Sequence, residues 1–169
     1  VGFDQLMAHA EQESYAVGYF ECWNLESLLA VADAAEAQRS PVLLGFSGIT
    51  LPHPARVRPD PLSVYASMGL EVCRAVSVPA ALVFNECPQF FRVLEAAALG
   101  YGLVMFSDER LSLPEQTSRV QQAAEAAHGA GAAIEGEISA LPGIVGDLEE
   151  VPEQVALTDP QTARDFVAQ

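Results

Sequence analysis

Pro79-Ala-Ala-Leu-Val-Phe-Asn85 is apolar at every position until its last residue, and Glu86 and Cys87 follow at once. A strand with no polar alternation is buried on both faces, as strands are in a parallel sheet covered by helices. Working outward, runs of the same kind occur at Tyr15–Trp23 and Pro41–Ser47 before it, and at Gly102–Ser107 and Ala132–Ile138 after it. Between them the apolar residues recur at helical spacing. Leu25, Leu28, Leu29, Ala32 and Ala35 form one stripe; Val64, Met68, Val72 and Val76 form a second. Phe91, Leu94 and Ala98 form a third, and Val120, Ala124 and Ala127 a fourth. Asn24 is placed to cap the first of these helices, and Asp159-Pro160 reads as N-cap and first-turn proline of a last helix.

With a short opening helix at Phe3–Glu13, the order is five repeats of strand then helix, the pattern of an α/β protein with a parallel sheet. An open doubly wound sheet and a segment of an eight-fold barrel both fit. Neither a G-x-G-x-x-G after the first strand nor a G-x-x-x-x-G-K-[ST] is present, so the usual phosphate-loop reasons for an open sheet are missing. Five such units cannot close an eight-stranded barrel, so we expect a portion of a longer chain, or another element filling the gap.

Composition narrows the function. With 169 residues, half of them hydrophobic, the chain can bury one core, and a single domain over 1–169 is expected. A net charge of −15 disfavours nucleic acid and anionic membrane surfaces as partners. No apolar run is long enough to span a bilayer, and Val1 to Glu13 does not read as a secretion signal. Val1 in place of Met leads us to expect a trimmed or processed start. Three unpatterned cysteines, Cys22, Cys73 and Cys87, suggest a reducing, cytoplasmic setting rather than a disulfide framework. Lysine is absent, so these residues supply no amine for Schiff-base chemistry.

Six stretches in order carry a resemblance. They are Tyr15-Ala-Val-Gly-Tyr-Phe20 with Asn24-Leu-Glu26, Ser40-Pro-Val42 with Ser47, and Val78-Pro-Ala-Ala-Leu82. Gly100-Tyr101 to Val104-Met105, Ile134-Glu-Gly-Glu-Ile138 and Leu157-Thr-Asp-Pro160 complete the set. Together they resemble the N-terminal portion of class II (metal-dependent) fructose- and tagatose-bisphosphate aldolases. The resemblance implies a (β/α)₈ TIM barrel, of which this chain holds about the first five βα units. It also implies a divalent cation, usually zinc, held by histidines and a glutamate to polarise the substrate carbonyl. A small-molecule, sugar-like substrate and a homo-oligomer belong to the same expectation.

The third strand departs from the family. Where the family runs His-Leu-Asp-His-Gly, this chain has Val83-Phe84-Asn85-Glu86-Cys87. Asn85 holds the place of the catalytic acid/base, yet an amide accepts no proton at neutral pH. Glu86 holds the place of a metal histidine and keeps metal binding open, with Mg²⁺ or Mn²⁺ as alternatives to zinc. On the fourth strand Ser107 stands where the family has an aspartate, with Asp108 one place late. On the fifth, Glu137 matches the family's metal glutamate and Glu135 should share its face. Ser47 aligns with a serine near substrate. The family's further histidine ligands and phosphate-binding glycines lie on later strands.

Other residues have blander readings beside the functional ones. Cys22 and Cys87 are expected at strand tips facing the mouth, but free cysteines mostly behave as small buried hydrophobes. Trp23 is expected to pack over the mouth. His53 lies in a proline-containing loop, Leu51–Pro61, that can face the site, as can Arg56 and Arg58; a second long loop covers Ala140–Pro152. His9 and His128 fall on helices away from strand ends. Two functions follow: a metal-dependent carbon–carbon lyase acting on a phosphorylated or carboxylated sugar-like substrate, or an aldolase-like barrel that has lost catalysis and binds or regulates.

Overall fold

A computed structural model describes residues 2–51, 57–58, 61–138 and 157–168. Its strands are β1 (Gly18–Glu21), β2 (Val42–Ser47), β3 (Ala80–Cys87), β4 (Leu103–Phe106) and β5 (Ala133–Gly136). Its helices are α1 (Phe3–Glu13), α2 (Leu25–Gln38), α3 (Leu62–Ala75), α4 (Phe90–Ala98), α5 (Leu113–Gly129) and α6 (Pro160–Val167). The strands pair only in parallel and in the order β1-β2-β3-β4-β5, so each connection is a single βα step to the adjacent strand. A doubly wound sheet would reverse direction at a switch point. This one does not, and the barrel expectation is the one that holds.

The sheet has two packed faces. On one, Leu44, Phe46, Leu82, Phe84 and Val104 meet Leu28, Ala66, Val93, Ala96 and Ala123 of the helices. On the other, Leu43, Ala81 and Val83 pack with Leu6 of α1, flanked by Phe3, Val17, Tyr19 and Leu103. Period two along each strand explains the division: 42, 44 and 46 serve the helices, and 43 faces the concave side. α1 therefore covers the amino-terminal end of the concave face, and the carboxyl end is left to polar side chains.

Local chemistry fixes the helix starts. The Ser27 amide donates to Asn24 Oδ1 at 2.9 Å while Ser27 Oγ receives the Asn24 amide, which closes a capping box on α2. The Thr162 amide donates to Asp159 Oδ2 at 2.8 Å to start α6. Both follow the sequence reading.

The stripes need correction. Leu25, Leu29, Val64 and Phe91 are exposed, and the buried faces run through Leu28, Ala32 and Ala35, through Leu62, Ala66, Gly69 and Val72, and through Val93, Ala96 and Ala97. Beside Leu28, Leu62, Val72 and Val93, these helices set small residues against the sheet where the backbones come closest. Gly69 shows this directly: a Cβ there would fall 2.4 Å from Leu82 Cδ1. Among the described residues no helix is long and apolar enough to cross a membrane.

Candidate active site at the carboxyl rim

The site begins with an irregularity in β3. Phe84 pairs with Val104 and Cys87 with Phe106, so Asn85 and Glu86 together face the single residue Met105. Two residues against one is a β-bulge, and such a bulge re-aims a side chain. Glu86 absorbs it with a left-handed backbone, φ 43°, a conformation that an L residue with a Cβ adopts at a cost of roughly 1–2 kcal/mol. Strict alternation would have sent Glu86 toward the helices. The bulge instead turns it to the concave side, and Cys87 resumes the helix-side pattern in the buried core.

A cavity of about 530 Å³ opens on that side at the strand ends, and Tyr19, Asn85, Glu86, Met105, Glu135 and Glu137 line it. Glu135 lies opposite Met105 in the β4–β5 register. Asn85, Met105 and Glu135 thus form one row across three strands, with Glu86 beside it and Glu137 just beyond the end of β5. Glu135 and Glu137 share a face, as their spacing implies. A larger cavity of about 620 Å³ lies at the opposite end, among Phe3, Arg74, Tyr101 and Gly131, and holds none of the candidate residues.

The rim is strongly negative. Desolvation, and then the charges of Glu21, Glu137, Glu135 and Glu109, push the half-buried Glu86 carboxyl above the usual carboxylate range. Glu135 is open to solvent along the edge strand, yet desolvation by surrounding atoms and the Glu137 charge push it the same way. Neither described ion pair, Arg74–Glu71 nor Arg110–Asp108, involves these acids. Glu137 has one firm partner: Ser107 Oγ donates to its Oε2 at 2.6 Å. Asp108 turns away to Arg110, whose Nε and Nη2 each reach it at 2.7 Å and hold its carboxyl below the usual range.

Below the acids sits Tyr19. Its ring lies against Gly45, where a Cβ would meet Tyr19 Cε2 at 2.8 Å and the Val83 carbonyl oxygen at 2.3 Å. Glycine at 45 is what lets the ring lie across the sheet. Among the described residues the Tyr19 hydroxyl has no hydrogen-bond partner, and burial followed by the Glu21 charge raises its pKa.

Several expected placements change. Ser47 is fully buried beside Asn85 in register, and its Oγ accepts the Ile49 amide at 3.1 Å rather than facing the cavity. Cys22 and Cys87 do not face the mouth; both are buried behind the sheet, and burial pushes the Cys87 thiol up to about 11. Trp23 does not cover the mouth either. It is 68% exposed, and its indole N–H donates to Glu21 Oε1 at 3.1 Å. Arg58 is exposed. His53, Arg56 and the loop Ala140–Pro152 lie outside the described residues, as does most of Leu51–Pro61. His9 sits on α1 within 2.9 Å of the Tyr15 hydroxyl, and His128 lies near the end of α5, both away from the rim.

Sequence reading missed Glu21 and Tyr19. Their spacing of two on β1 carried the signal, since a strand residue facing inward implies its second neighbour does too. Glu21 is also held, accepting from Thr50 Oγ1 at 2.8 Å.

Among the described residues no three His, Cys, Asp or Glu side chains are arranged to hold a metal ion by themselves. Glu86 and Glu137 nonetheless fit a divalent cation as part of its ligand shell. Both present hard oxygen donors to one cavity, and the crowding of acids that raises Glu86 is the environment a cation would neutralise.

A parallel α/β half-barrel with polar groups gathered at the carboxyl ends of its strands defines a TIM-barrel-type protein with its site at the usual end. Across residues 1–169 the sequence matches the family model for fructose-bisphosphate aldolase class II, and the chain belongs to that family. It is 30% identical over 169 residues to the fructose-bisphosphate aldolase of Geobacillus stearothermophilus, covering 99% of this chain and 56% of that protein. It is 27% identical to the sulfofructosephosphate aldolase of Alkalicoccus urumqiensis, covering 95% and 54% respectively. The crystal structure of the YdjI aldolase from Escherichia coli K12 superposes with a TM-score of 0.76 at 21% identity, covering 99% of this chain and 57% of that one. The chain thus spans about half the length of the curated relatives it matches.

Proposed function

We propose that this chain carries the first half of a divalent-metal-dependent carbon–carbon lyase that cleaves or condenses a phosphorylated or carboxylated sugar-like substrate. Glu86 and Glu137 are its contribution to the metal shell, and Asn85 is the polar group facing the substrate. The observation that supports this most is the bulge at Asn85–Glu86. A strained, left-handed glutamate that breaks alternation in order to join other acids is worth its strain when the acids share a ligand. The cation, when bound, supplies Lewis-acid stabilisation of the negative charge that develops on the substrate carbonyl oxygen. Zinc is the family's usual metal; donors made only of carboxylate oxygen suit Mg²⁺ or Mn²⁺ as well.

The side chains have definable tasks. Glu86 and Glu137 present oxygens from adjacent parts of the rim. Asn85 donates its amide N–H to a substrate oxygen and orients it, but moves no proton. Ser47 pairs with Asn85 in the β2–β3 register, and its buried hydroxyl, taken by the Ile49 amide, reaches substrate only if the Ser47–Ile49 turn opens. A cytoplasmic homo-oligomer is part of the same reading.

Asn85 also favours a second reading, an aldolase-like barrel that binds its ligand without turning it over. One experiment separates the two. The complete protein, purified with divalent cations present, is assayed for bound metal and for retro-aldol turnover of ketose bisphosphates. Bound metal with turnover supports the lyase, and bound metal without it supports the binding protein. A protein that retains no divalent cation overturns the metal site.

A further inference from the structure

The Glu137 backbone follows directly on β5, whose Gly136 pairs with Phe106, but its side chain has three torsions that the strand does not fix. It is fixed instead from β4. Ser107 Oγ donates to Glu137 Oε2 at 2.6 Å, the short distance of a hydroxyl bonded to a carboxylate. Ser107 in turn lies between two backbone groups held by one side chain of α5. Gln116 Nε2 donates to the Phe106 carbonyl at 3.3 Å, and the Asp108 amide donates to Gln116 Oε1 at 3.2 Å. The residues on either side of Ser107 are therefore clamped by the two ends of one amide, and the Ser107 amide itself donates to the Cys87 carbonyl at 3.3 Å.

Gln116 is only 7% exposed. A buried amide is tolerated where both ends are bonded, and here both bonds go to the turn that carries Ser107. The helix bearing it starts firmly, because Glu115 Oε2 accepts both the Ser112 amide at 2.9 Å and the Ser112 hydroxyl at 2.6 Å. The path runs from the α5 cap to Gln116, then to the 106–108 turn, the Ser107 hydroxyl and the Glu137 carboxylate.

We propose that Gln116 is a positioning residue that acts through Ser107 to hold the Glu137 carboxylate in its cation-facing orientation. This rests on Glu137 being a metal ligand. An aspartate at 107, as the family resemblance implies, would repel Glu137. A serine donates to it, so this chain uses as a support a position that elsewhere carries a charge.

The test uses the complete protein and the variants Ser107→Ala, Ser107→Thr, Gln116→Met and the double variant Ser107→Ala/Gln116→Met. Methionine keeps the volume of Gln116 and removes both of its hydrogen bonds; Gln116→Glu, which keeps the acceptor for the Asp108 amide, serves if methionine prevents folding. In metal-free protein the Glu137 carboxyl ¹³C resonance is expected to shift in Ser107→Ala and in Gln116→Met. The double variant should shift no further than Ser107→Ala alone, and Ser107→Thr should restore the wild-type position. The Mn²⁺ dissociation constant should rise about tenfold in each single variant, again without adding in the double. A Gln116 effect that persists at full size in the Ser107→Ala background, or no Gln116 effect on the resonance, overturns the proposal. If the resonance pattern holds but the wild type binds no Mn²⁺, the support stands and the metal role of Glu137 falls.

Discussion

Replacing Glu86 tests the bulge most directly, because two effects of opposite sign can be separated at one position. Glu86→Ala and Glu86→Gly both remove the carboxylate, and with it the repulsion from Glu21, Glu137, Glu135 and Glu109. They differ in backbone. Elsewhere in a strand, glycine is less stable than alanine by about 0.5–1 kcal/mol, because it loses more freedom on folding. At φ 43° alanine carries a left-handed penalty of roughly 1–2 kcal/mol that glycine escapes. Subtracting the first from the second leaves Glu86→Gly more stable than Glu86→Ala by up to about 1.5 kcal/mol, about 0.75 kcal/mol at the midpoints. Urea unfolding of the metal-free complete protein at pH 7, with equal m-values required, reads this difference as a shift in midpoint. Both variants should also lose the stabilisation that Mn²⁺ gives the wild type. If alanine proves more stable than glycine by the ordinary strand margin of about 0.5–1 kcal/mol, the backbone at 86 is not left-handed, and the explanation of how Glu86 reaches the cavity fails.

Three further outcomes follow from the same geometry. The raised Glu86 carboxyl binds its proton more tightly folded than unfolded, so its destabilising contribution is absent at low pH and grows as pH rises through and above the ordinary carboxylate range. Glu86→Gln should therefore stabilise the metal-free protein at pH 7 but not at pH 4, as read by thermal unfolding at both values. Leu6, 2% exposed and packed on Leu43, Ala81 and Val83, should cost about 2–4 kcal/mol when changed to alanine, measured by denaturant unfolding. Asn85→Asp restores a proton acceptor facing the cavity and should raise retro-aldol turnover by about 100-fold; an unchanged rate would argue that chemistry at this site does not pass through position 85.

The fold was legible because its signals are local. Five largely apolar runs, each followed by a helical segment, allow few arrangements, and the caps at Asn24 and Asp159 are set by side chains within three residues of the groups they serve. Helix faces were misread where small residues decide the contact: hydropathy favoured Val64 and Phe91, while the sheet accepts Ala66, Gly69 and Ala96. Asn85, Glu86 and Glu137 could be read from sequence as neighbours at one cavity because strand ends in this architecture gather at one rim. Ser47 and Cys87 were placed too near the mouth because neither the turn at Ser47–Ile49 nor the bulge shows in the sequence, and Cys22 because a residue at a strand end need not face the mouth. No sequence period announces that two residues will oppose one. The Gln116 clamp was invisible for another reason: it joins a helix interior to a turn eight residues back, through bonds that depend on how α5 packs.

The departures at the rim make sense together rather than singly. Relative to the pattern the resemblance implies, Glu86 adds a negative charge in place of a neutral histidine. Asn85 and Ser107 each give one up in place of an aspartate. Carboxylates in a partly desolvated rim repel one another, and Glu86 already feels four neighbours. Had Asp stood at 85 and 107 as well, the added charge beside Glu86 and against Glu137 would have strained the metal-free fold further. With an amide at 85 and a hydroxyl at 107, the first faces the cavity without charge and the second donates to Glu137. An added acid at the bulge is thus matched by the loss of acids around it. Mere loss of function would not require the Glu137 carboxylate to be held in one orientation by Ser107. A rim that still binds a cation, with a changed ligand set, would require it.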